Sequence, residues 1–161
     1  MKQKIKLLGM DVDGTLTDGK IHVSPNGEIM KSFDVKDGYG IKNILPTVEI
    51  IPVIISARSS EIVRARAKEL NVTDVYLGVS NKIEAMNKIL AKYGFEYDNI
   101  AYIGDDLNDL PLIEKVGLSF APSDSVEEVR DKVDVVLKNR GGSGAVRECI
   151  SYLTSTIQES D

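Results

Sequence analysis

Residues 7–19, LLGMDVDGTLTDG, indicate both the fold and the chemistry of this chain. An apolar run leads directly into Asp11 and Asp13, and glycines and small hydroxyl residues follow. The run predicts a buried strand that ends at Asp11, because strands covered on both faces are continuously apolar. Ligands of open α/β sheets bind at the carboxyl ends of strands, so the two carboxylates are candidates for Mg²⁺ binding or for nucleophilic and acid–base chemistry. An Asp-Gly turn without a chemical role is the alternative.

Apolar runs alternate with amphipathic segments along the rest of the chain. Helical spacing predicts helices over residues 61–70, 83–93 and 145 to about 157, and a further helix that begins within 105–109. Strands are predicted at residues 5–10, 50–55, 75–77, 100–103, 118–121 and 133–137. This alternation predicts an α/β fold, a Rossmann-like and mostly parallel sheet with helices on both faces.

Two local features add to this architecture. Two β-prone runs flank a Pro-Asn-Gly turn, which predicts a hairpin flap over about residues 20–33. Residues 34–40 contain two glycines and mixed charges, so we expect a loop that enters a short helix near residues 41–45. The sequence contains no obvious linker or internal repeat, and we expect one domain over residues 1–161.

Composition excludes several classes of function. The net charge of −5 argues against nucleic acid as the main partner. No apolar run is long enough to resemble a membrane span. The single cysteine, Cys149, permits no intrachain disulfide, and the first strand leaves no room for a signal peptide, so we expect a cytoplasmic protein.

Further polar groups follow at later strand ends and at a helix start. Ser56 comes after the second strand, Lys82 begins a helix, and Asp105 opens an acidic cluster after the fourth strand. Together with the first motif, DVDGTLT at residues 11–17, this order resembles the haloacid dehalogenase-like (HAD) phosphohydrolases. The motifs extend over residues 11–109.

The resemblance implies a reaction through an aspartyl-phosphate. Asp11 is the implied nucleophile, and Asp13 is implied to protonate the leaving group and later to deprotonate water. Asp11 and Asp105, with the backbone carbonyl of Asp13, are the implied Mg²⁺ ligands. Ser56 and Lys82 are implied to hold the phosphoryl oxygens, whose charge must be stabilised in the transition state.

The intervals between the motifs leave no room for the cap domain that most HAD phosphatases carry. Residues 34–40, 104–109 and 141–148 resemble the capless 3-deoxy-D-manno-octulosonate 8-phosphate (Kdo-8-phosphate) phosphatase group. That group implies hydrolysis of Kdo-8-phosphate to Kdo and phosphate in lipopolysaccharide precursor synthesis. It also implies a homotetramer in which the hairpin and neighbouring subunits complete each active site.

The same resemblance implies a set of substrate-binding residues. Arg66 borders the apolar side of its helix, so its side chain either packs along that surface or reaches a ligand. Ser56-Ala57-Arg58 replaces the commoner Thr-Gly-Arg of the group and keeps the hydroxyl. The implied set consists of Lys36, Asp37, Gly38, Arg58, Arg66, Lys82 and Asn108.

Other interpretations stay open. The closest alternative is a phosphatase for a nine-carbon 2-keto-3-deoxy sugar acid 9-phosphate, and a non-catalytic HAD-like binding module is another. A response-regulator-like receiver is disfavoured, because its lysine comes last, whereas Lys82 precedes the acidic cluster. Within that cluster, Asp106 and Asp109 have the alternative role of capping a helix.

Overall fold

The computed structural model describes residues 5–158, and residues 1–4 and 159–161 of the predicted domain lie outside this range. The strands are β1 (Leu7–Met10), β2 (His22–Ser24), β3 (Gly27–Met30), β4 (Ile51–Ile55), β5 (Asp74–Tyr76), β6 (Ile100–Ile103), β7 (Leu118–Ala121) and β8 (Val135–Val136). The α-helices are α1 (Val35–Tyr39), α2 (Glu61–Glu69), α3 (Lys82–Tyr93), α4 (Leu110–Ile113), α5 (Glu127–Arg130) and α6 (Ala145–Gln158). None of the helices in the described chain is both long and apolar enough to cross a membrane.

Strand β1 lies inside a six-stranded sheet with the order β5-β4-β1-β6-β7-β8. Every neighbouring pair is parallel, which confirms the predicted sheet. The chain winds outward from β1 through β4 to β5, returns to β6 on the other side of β1, and continues to β8. The carboxyl ends of β1, β4 and β6 therefore meet where the winding direction reverses, which is where such sheets form a crevice.

Helices cover both faces of the sheet, as predicted, and the alternation of strand side chains explains how. Successive residues of a strand point to opposite faces. In β1, Leu8 and Met10 pack in one core, whereas Leu7 packs in the other. Residues of α2 and α6 complete the first core, and residues of α3 and α4 complete the second. The central strands are apolar throughout because both of their faces are buried.

The predicted hairpin is present as a separate antiparallel sheet of β2 and β3. Apolar side chains lie on its surface: Val23 is 65% exposed and Ile29 is 62% exposed. The strand β3 is followed by Lys31, whose side chain turns inward and is fully buried. The flap is thus anchored by a charged residue, while part of its apolar surface faces outward.

The segment after the hairpin differs from its prediction. Residues 34–40 are not a loop, because the Asp34 carboxylate accepts a hydrogen bond of 2.7 Å from the Lys36 backbone N–H and so caps α1. The chain then continues as a π-helix over Gly40–Ile44 and as a 3₁₀ turn over Leu45–Val48. The predicted substrate loop is therefore the first turn of a longer helical segment.

Gly38 of α1 and Gly40, at the start of the π-helix, explain why the loop prediction was wrong. A Cβ at Gly40 would lie 2.9 Å from Ile150 Cδ1 on α6. A Cβ at Gly38 would lie 3.1 Å from Leu70 Cδ2, at the end of α2. A side chain at Gly38 would also meet the Arg66 guanidinium group, so both glycines permit close approach to neighbouring helices.

Candidate active site

Lys82 lies at the centre of a buried group of polar side chains. It is the first residue of α3, and the Asn81 side chain caps that helix by accepting two backbone hydrogen bonds. Lys82 Nζ donates to Asp11 Oδ1 and to Asp109 Oδ1, each at 2.7 Å, and to Tyr102 Oη at 3.2 Å. Because Asp11 follows β1 and Tyr102 belongs to β6, this Lys82 cluster (Lys82, Asp11, Asp109 and Tyr102) joins two central strands to α3.

Asp109 has a role in this cluster that the capping interpretation does not anticipate. Its Oδ1 atom accepts hydrogen bonds from Lys82 and, at 2.6 Å, from Tyr102 Oη. Its Oδ2 atom accepts hydrogen bonds from the backbone N–H groups of Asp105 and Asp106, at 3.0 and 3.2 Å. Asp109 therefore fixes the turn after β6 with one oxygen and holds the lysine with the other. The sequence shows Asp109 in an acidic cluster that fits a helix cap, but it does not show that Asp109 also binds Lys82.

Asp105 approaches the first motif closely because a glycine leaves room for it. Thr15 Oγ1 donates a hydrogen bond of 3.2 Å to Asp105 Oδ1. Gly14 has a φ of +88°, which glycine adopts without strain, and a Cβ at this position would overlap the Asp105 carboxylate. The Asp-Gly-Thr sequence of the first motif thus allows a second carboxylate to lie near Asp11.

Three carboxylates come close enough together to hold a cation. Asp11, Asp105 and Asp109 each offer an oxygen, and these oxygens lie within 4.8 Å of one another. Burial and the adjacent Asp11 carboxyl raise the pKa of Asp105 to about 9, and burial and the Asp109 charge raise the pKa of Asp11. Burial opposes the charge on Lys82, but Asp11 and Asp109 outweigh it and raise the pKa of the lysine. Neighbouring carboxylates that resist joint ionisation are a suitable site for a hard cation.

Asp13 belongs to a second group of charges, at the base of the hairpin. Its carboxylate pairs with Lys31 and lies 3.9 Å from Arg58 Nε. Lys31 Nζ also lies 3.3 Å from Glu28 Oε2, and Glu28 Oε1 accepts a hydrogen bond of 2.6 Å from Ser60 Oγ. We call Asp13, Lys31, Glu28 and Arg58 the hairpin cluster. Sequence reasoning missed Lys31 and Glu28, because charged residues on a short surface hairpin give no sign that they turn inward.

Ser56 stands at the same edge of the sheet as Asp11. Strands β1 and β4 pair with Met10 opposite Ile54, so both chains leave the sheet at a similar level. Ser56 is 3% exposed, and its Oγ accepts a hydrogen bond of 3.2 Å from the Arg58 backbone N–H. The predicted serine therefore lies at the same edge of the sheet as the first-motif aspartates, and the predicted lysine contacts Asp11 there.

Comparison with known proteins agrees with this geometry. A family model for haloacid dehalogenase-like hydrolases matches residues 48–148, more than half of the chain. The chain belongs to this family. The matched segment includes Ser56, Lys82 and Asp105, and the first motif with Asp11 precedes it. The resemblance predicted from the order of the motifs is thereby confirmed.

Relatives of this HAD-like hydrolase extend over nearly its whole length. The chain is 44% identical over 151 residues to the 3-deoxy-D-manno-octulosonate 8-phosphate phosphatase of Escherichia coli K12. The aligned region covers 94% of this chain and 80% of that relative. The cobalt-bound structure of the deoxy-D-mannose-octulosonate 8-phosphate phosphatase of Haemophilus influenzae is 40% identical, with a TM-score of 0.93. The match covers 98% of this chain and 92% of that one. The Moraxella catarrhalis enzyme, solved with magnesium, phosphate and KDO, is 36% identical, with a TM-score of 0.90 and coverage of 99% and 95%.

Arg66 of this HAD-like hydrolase has partners outside both clusters. Its Nη1 atom pairs with Glu69 Oε2 at 2.9 Å, and its guanidinium group lies 5.5 Å from the centroid of the Phe33 ring. Its Nε atom is buried without a hydrogen-bond partner among residues 5–158, as is Oδ2 of Asp37, and both residues line one small cavity beside α1. Arg66 thus packs against Phe33 and pairs with Glu69, and its contact with a ligand stays a prediction.

The remaining predicted substrate residues lie on α1 and in the turn after β6. Asp37 is 1% exposed, its Oδ1 accepts a hydrogen bond of 2.9 Å from the Arg147 backbone N–H, and burial raises its pKa to about 6. Lys36 is exposed and pairs with Asp34 at 3.0 Å, and Asn108 is exposed in another 3₁₀ turn, over Leu107–Asp109. The substrate contacts of these residues stay predictions.

The arrangement provides the groups that phosphoryl transfer requires. A buried carboxylate is held at a strand end by a lysine, a second carboxylate lies beside it, and a third, Asp13, lies with cationic residues across the crevice. These groups suit the nucleophilic, proton-transfer and charge-offsetting roles that the sequence predicts, and the roles themselves stay predictions.

Proposed function

We propose that this protein is a Mg²⁺-dependent phosphatase that hydrolyses Kdo-8-phosphate to Kdo and phosphate in lipopolysaccharide precursor synthesis. The observation that carries the proposal is the contact of Lys82 with Asp11, next to Asp105, in a crevice of the HAD-like fold. The substrate is proposed from the Escherichia coli relative, because its 44% identity extends over 94% of this chain. The Moraxella catarrhalis complex supports the same class of sugar-acid ligand.

Asp11 is the proposed nucleophile. Its carboxylate attacks phosphorus, the bond from phosphorus to the sugar oxygen breaks, and an aspartyl-phosphate forms. Asp13 gives a proton to the departing alkoxide and then takes one from the water that hydrolyses the aspartyl-phosphate, which restores Asp11 and releases phosphate. Lys82 and the Ser56 hydroxyl stabilise the charge on the transferred group.

Asp11 and Asp105 would hold the Mg²⁺ ion, together with the backbone carbonyl of Asp13. The raised pKa of Asp105, about 9, reflects burial next to another carboxyl, which suits oxygen ligands awaiting a cation. Asp109 is a weaker candidate, since both of its oxygens already accept hydrogen bonds within the fold. When bound, the ion offsets the repulsion between a carboxylate and an anionic phosphoryl group.

Arg58 is the favoured partner for the carboxylate of the substrate. Its side chain is 47% exposed and its Nε lies 3.9 Å from Asp13, so the guanidinium group faces the crevice. Bidentate pairing of arginine with a carboxylate provides both affinity and orientation. Arg66 is retained as an alternative partner. The proposal also keeps substrate contacts for Lys36, Asp37, Gly38 and Asn108.

A cytoplasmic homotetramer with shared active sites is part of the proposal. Apolar side chains are exposed on the hairpin and on α1, including Ile29 at 62%, Val35 at 81% and Tyr39 at 55%. A small substrate in a capless site needs another element to exclude water. A second copy of the chain that covers these side chains would exclude it. The cytoplasm suits a chain whose one cysteine, Cys149, is a buried free thiol.

Steady-state hydrolysis of two substrates tests the proposal. With Mg²⁺, kcat/KM should be higher for Kdo-8-phosphate than for a nine-carbon 2-keto-3-deoxy sugar acid 9-phosphate. Chelation should abolish turnover and Mg²⁺ should restore it. Asp11→Asn should remove turnover while the circular dichroism spectrum stays that of the wild type. Preference for the nine-carbon acid would assign the rival substrate, and near-normal turnover by Asp11→Asn would reject the nucleophile.

A further inference from the structure

Tyr102 is the one aromatic residue of the Lys82 cluster. It lies within β6 and is fully buried, as are its apolar neighbours in the strand, so its position in the sequence gives no sign of a polar role. Its hydroxyl donates a hydrogen bond to Asp109 Oδ1 at 2.6 Å and accepts one from Lys82 Nζ at 3.2 Å. A single hydroxyl group therefore bridges the lysine and the carboxylate that holds it.

The hydrogen-bond count of Lys82 makes this bridge consequential. An ammonium group has three N–H donors and no acceptor. Lys82 Nζ contacts three acceptors, which are Asp11 Oδ1, Asp109 Oδ1 and Tyr102 Oη. All three donors are thus assigned, so the direction of the group toward Asp11 depends on the other two acceptors. Removal of the tyrosine hydroxyl would leave one N–H donor without an acceptor. The whole ammonium group would then be less constrained in its direction toward Asp11.

The ring of Tyr102 is held in place by an adjacent glycine. Gly9 of β1 is paired with Tyr102 of β6 in the parallel register. A Cβ at Gly9 would lie 2.8 Å from Tyr102 Cδ2 and 3.3 Å from the Met86 Cε atom. The ring therefore lies directly against the β1 backbone, two residues before Asp11. This contact, together with the few side-chain torsions of tyrosine, gives the hydroxyl a defined position.

We infer that Tyr102 is a positioning residue for phosphoryl transfer: its hydroxyl, set by the Gly9 contact, fixes Lys82 and Asp109 so that the ammonium group is aimed at Asp11. The inference rests on the function proposed above. It adds a residue that touches neither substrate nor metal and acts through Lys82. A purely structural tyrosine would stabilise the fold without influencing turnover.

Tyr102→Phe separates the two roles, because it removes the hydroxyl and keeps the ring. The matched control is Tyr93→Phe. Tyr93 is the last residue of α3, and its hydroxyl donates a different hydrogen bond from tyrosine to aspartate, to Asp74 of β5. In the full chain with Mg²⁺, Tyr102→Phe should lower kcat by about 10- to 100-fold, the scale expected when catalytic groups are slightly misplaced, with KM changed less than about threefold. Tyr93→Phe should keep the wild-type kcat.

Inhibition by orthovanadate and by phosphate provides a second readout. Orthovanadate resembles the five-coordinate transition state and phosphate resembles the product, so loss of positioning should weaken inhibition by the first more than by the second.

Each kcat is normalised to the folded fraction measured by circular dichroism. Gly9→Ala, which keeps the hydroxyl but displaces the ring, should lower kcat in the same way.

Three results would overturn the inference. These are a Tyr102→Phe kcat within twofold of wild type, a loss confined to KM, and an equal loss of kcat in Tyr93→Phe. Absence of any phosphatase turnover in the wild-type protein would overturn the proposed function and this inference with it. Wild-type turnover with an unaffected Tyr102→Phe variant would overturn the inference alone.

Discussion

Two buried lysines, Lys82 and Lys31, each contact two carboxylates, but they belong to regions of different construction. The partners of Lys82 are Asp11 and Asp109, which follow adjacent strands of the main sheet. Lys31 instead pairs with Asp13 and with a residue of its own hairpin, three positions earlier. The first arrangement is fixed by the core of the protein, and the second is fixed partly by a two-stranded flap.

The exposure of the partners shows what this difference means. The Lys82 partners are 8% and 0% exposed, so water cannot replace the lysine there. The Lys31 partners are 19% and 13% exposed and also lie near Arg58, so other groups can compensate. The proposed nucleophile is thus held in a more deeply buried region than the proposed proton carrier. Three lysine substitutions test this gradation.

Lys82→Met should have the largest effect. Removing one partner from a buried ion pair leaves uncompensated charge and typically costs about 3–5 kcal/mol. The free energy of unfolding measured in urea should fall by this amount, and turnover should fall at least about 10³-fold because charge stabilisation is lost. Lys88→Met, an exposed position on the same helix, is the matched control. Wild-type stability in Lys82→Met would mean that the cluster does not organise the core.

Lys31→Met should have an intermediate effect. Asp13 and Glu28 retain partial access to water and the proximity of Arg58, so the free energy of unfolding should fall by only about 1–2 kcal/mol. Turnover should fall about 10- to 100-fold, since Asp13 loses its fixed orientation. Lys20→Met, an exposed lysine before β2, controls for the loss of positive charge near the hairpin. A stability loss equal to that of Lys82→Met would contradict the ranking of the two lysines by the exposure of their partners.

Lys92→Met should have the smallest effect, although Lys92 also pairs with a buried carboxylate. Its side chain is 53% exposed, and its partner Asp74 keeps a hydrogen bond from Tyr93. Exposed ion pairs contribute little because water screens them. We expect the melting temperature to change by less than about 2 °C, a shift that corresponds to a small change in stability. A loss in the free energy of unfolding as large as that expected of Lys31→Met would contradict the ranking by exposure.

The sequence predicts the sheet and the residues at its strand ends because those signals are local. Each central strand is a continuous apolar run, and Asp11, Ser56 and Asp105 come at or just after the point where a run stops. The order of the motifs then places them in one family, and the sheet order brings them together. This part of the site follows from the rule that parallel strands share one carboxyl edge.

The residues that sequence reasoning missed act through tertiary contacts. Tyr102 belongs to a strand that is otherwise apolar, and only the structure shows that its hydroxyl meets Lys82. Lys31 leaves a hairpin that is separate from the main sheet, so its inward direction has no periodic signal. Local sequence predicts Gly38 and Gly40 as loop residues, but they allow helix packing that depends on distant side chains. In each case at least one decisive neighbour lies 18 or more residues away along the chain.

The central position of β1 has a consequence for the order in which the protein is made. A ribosome completes β1 well before it adds Lys82, which lies 71 residues after Asp11, or Asp105, which lies 90 residues after Thr15. A nascent chain that ends before α3 has an acidic strand end without Lys82, and one that ends before β6 still lacks Tyr102, Asp105 and Asp109. Competence for chemistry therefore arises late in translation, after residue 109 of 161 has left the ribosome. Long-range pairing of this kind also slows folding, because distant segments must meet before any contact stabilises them.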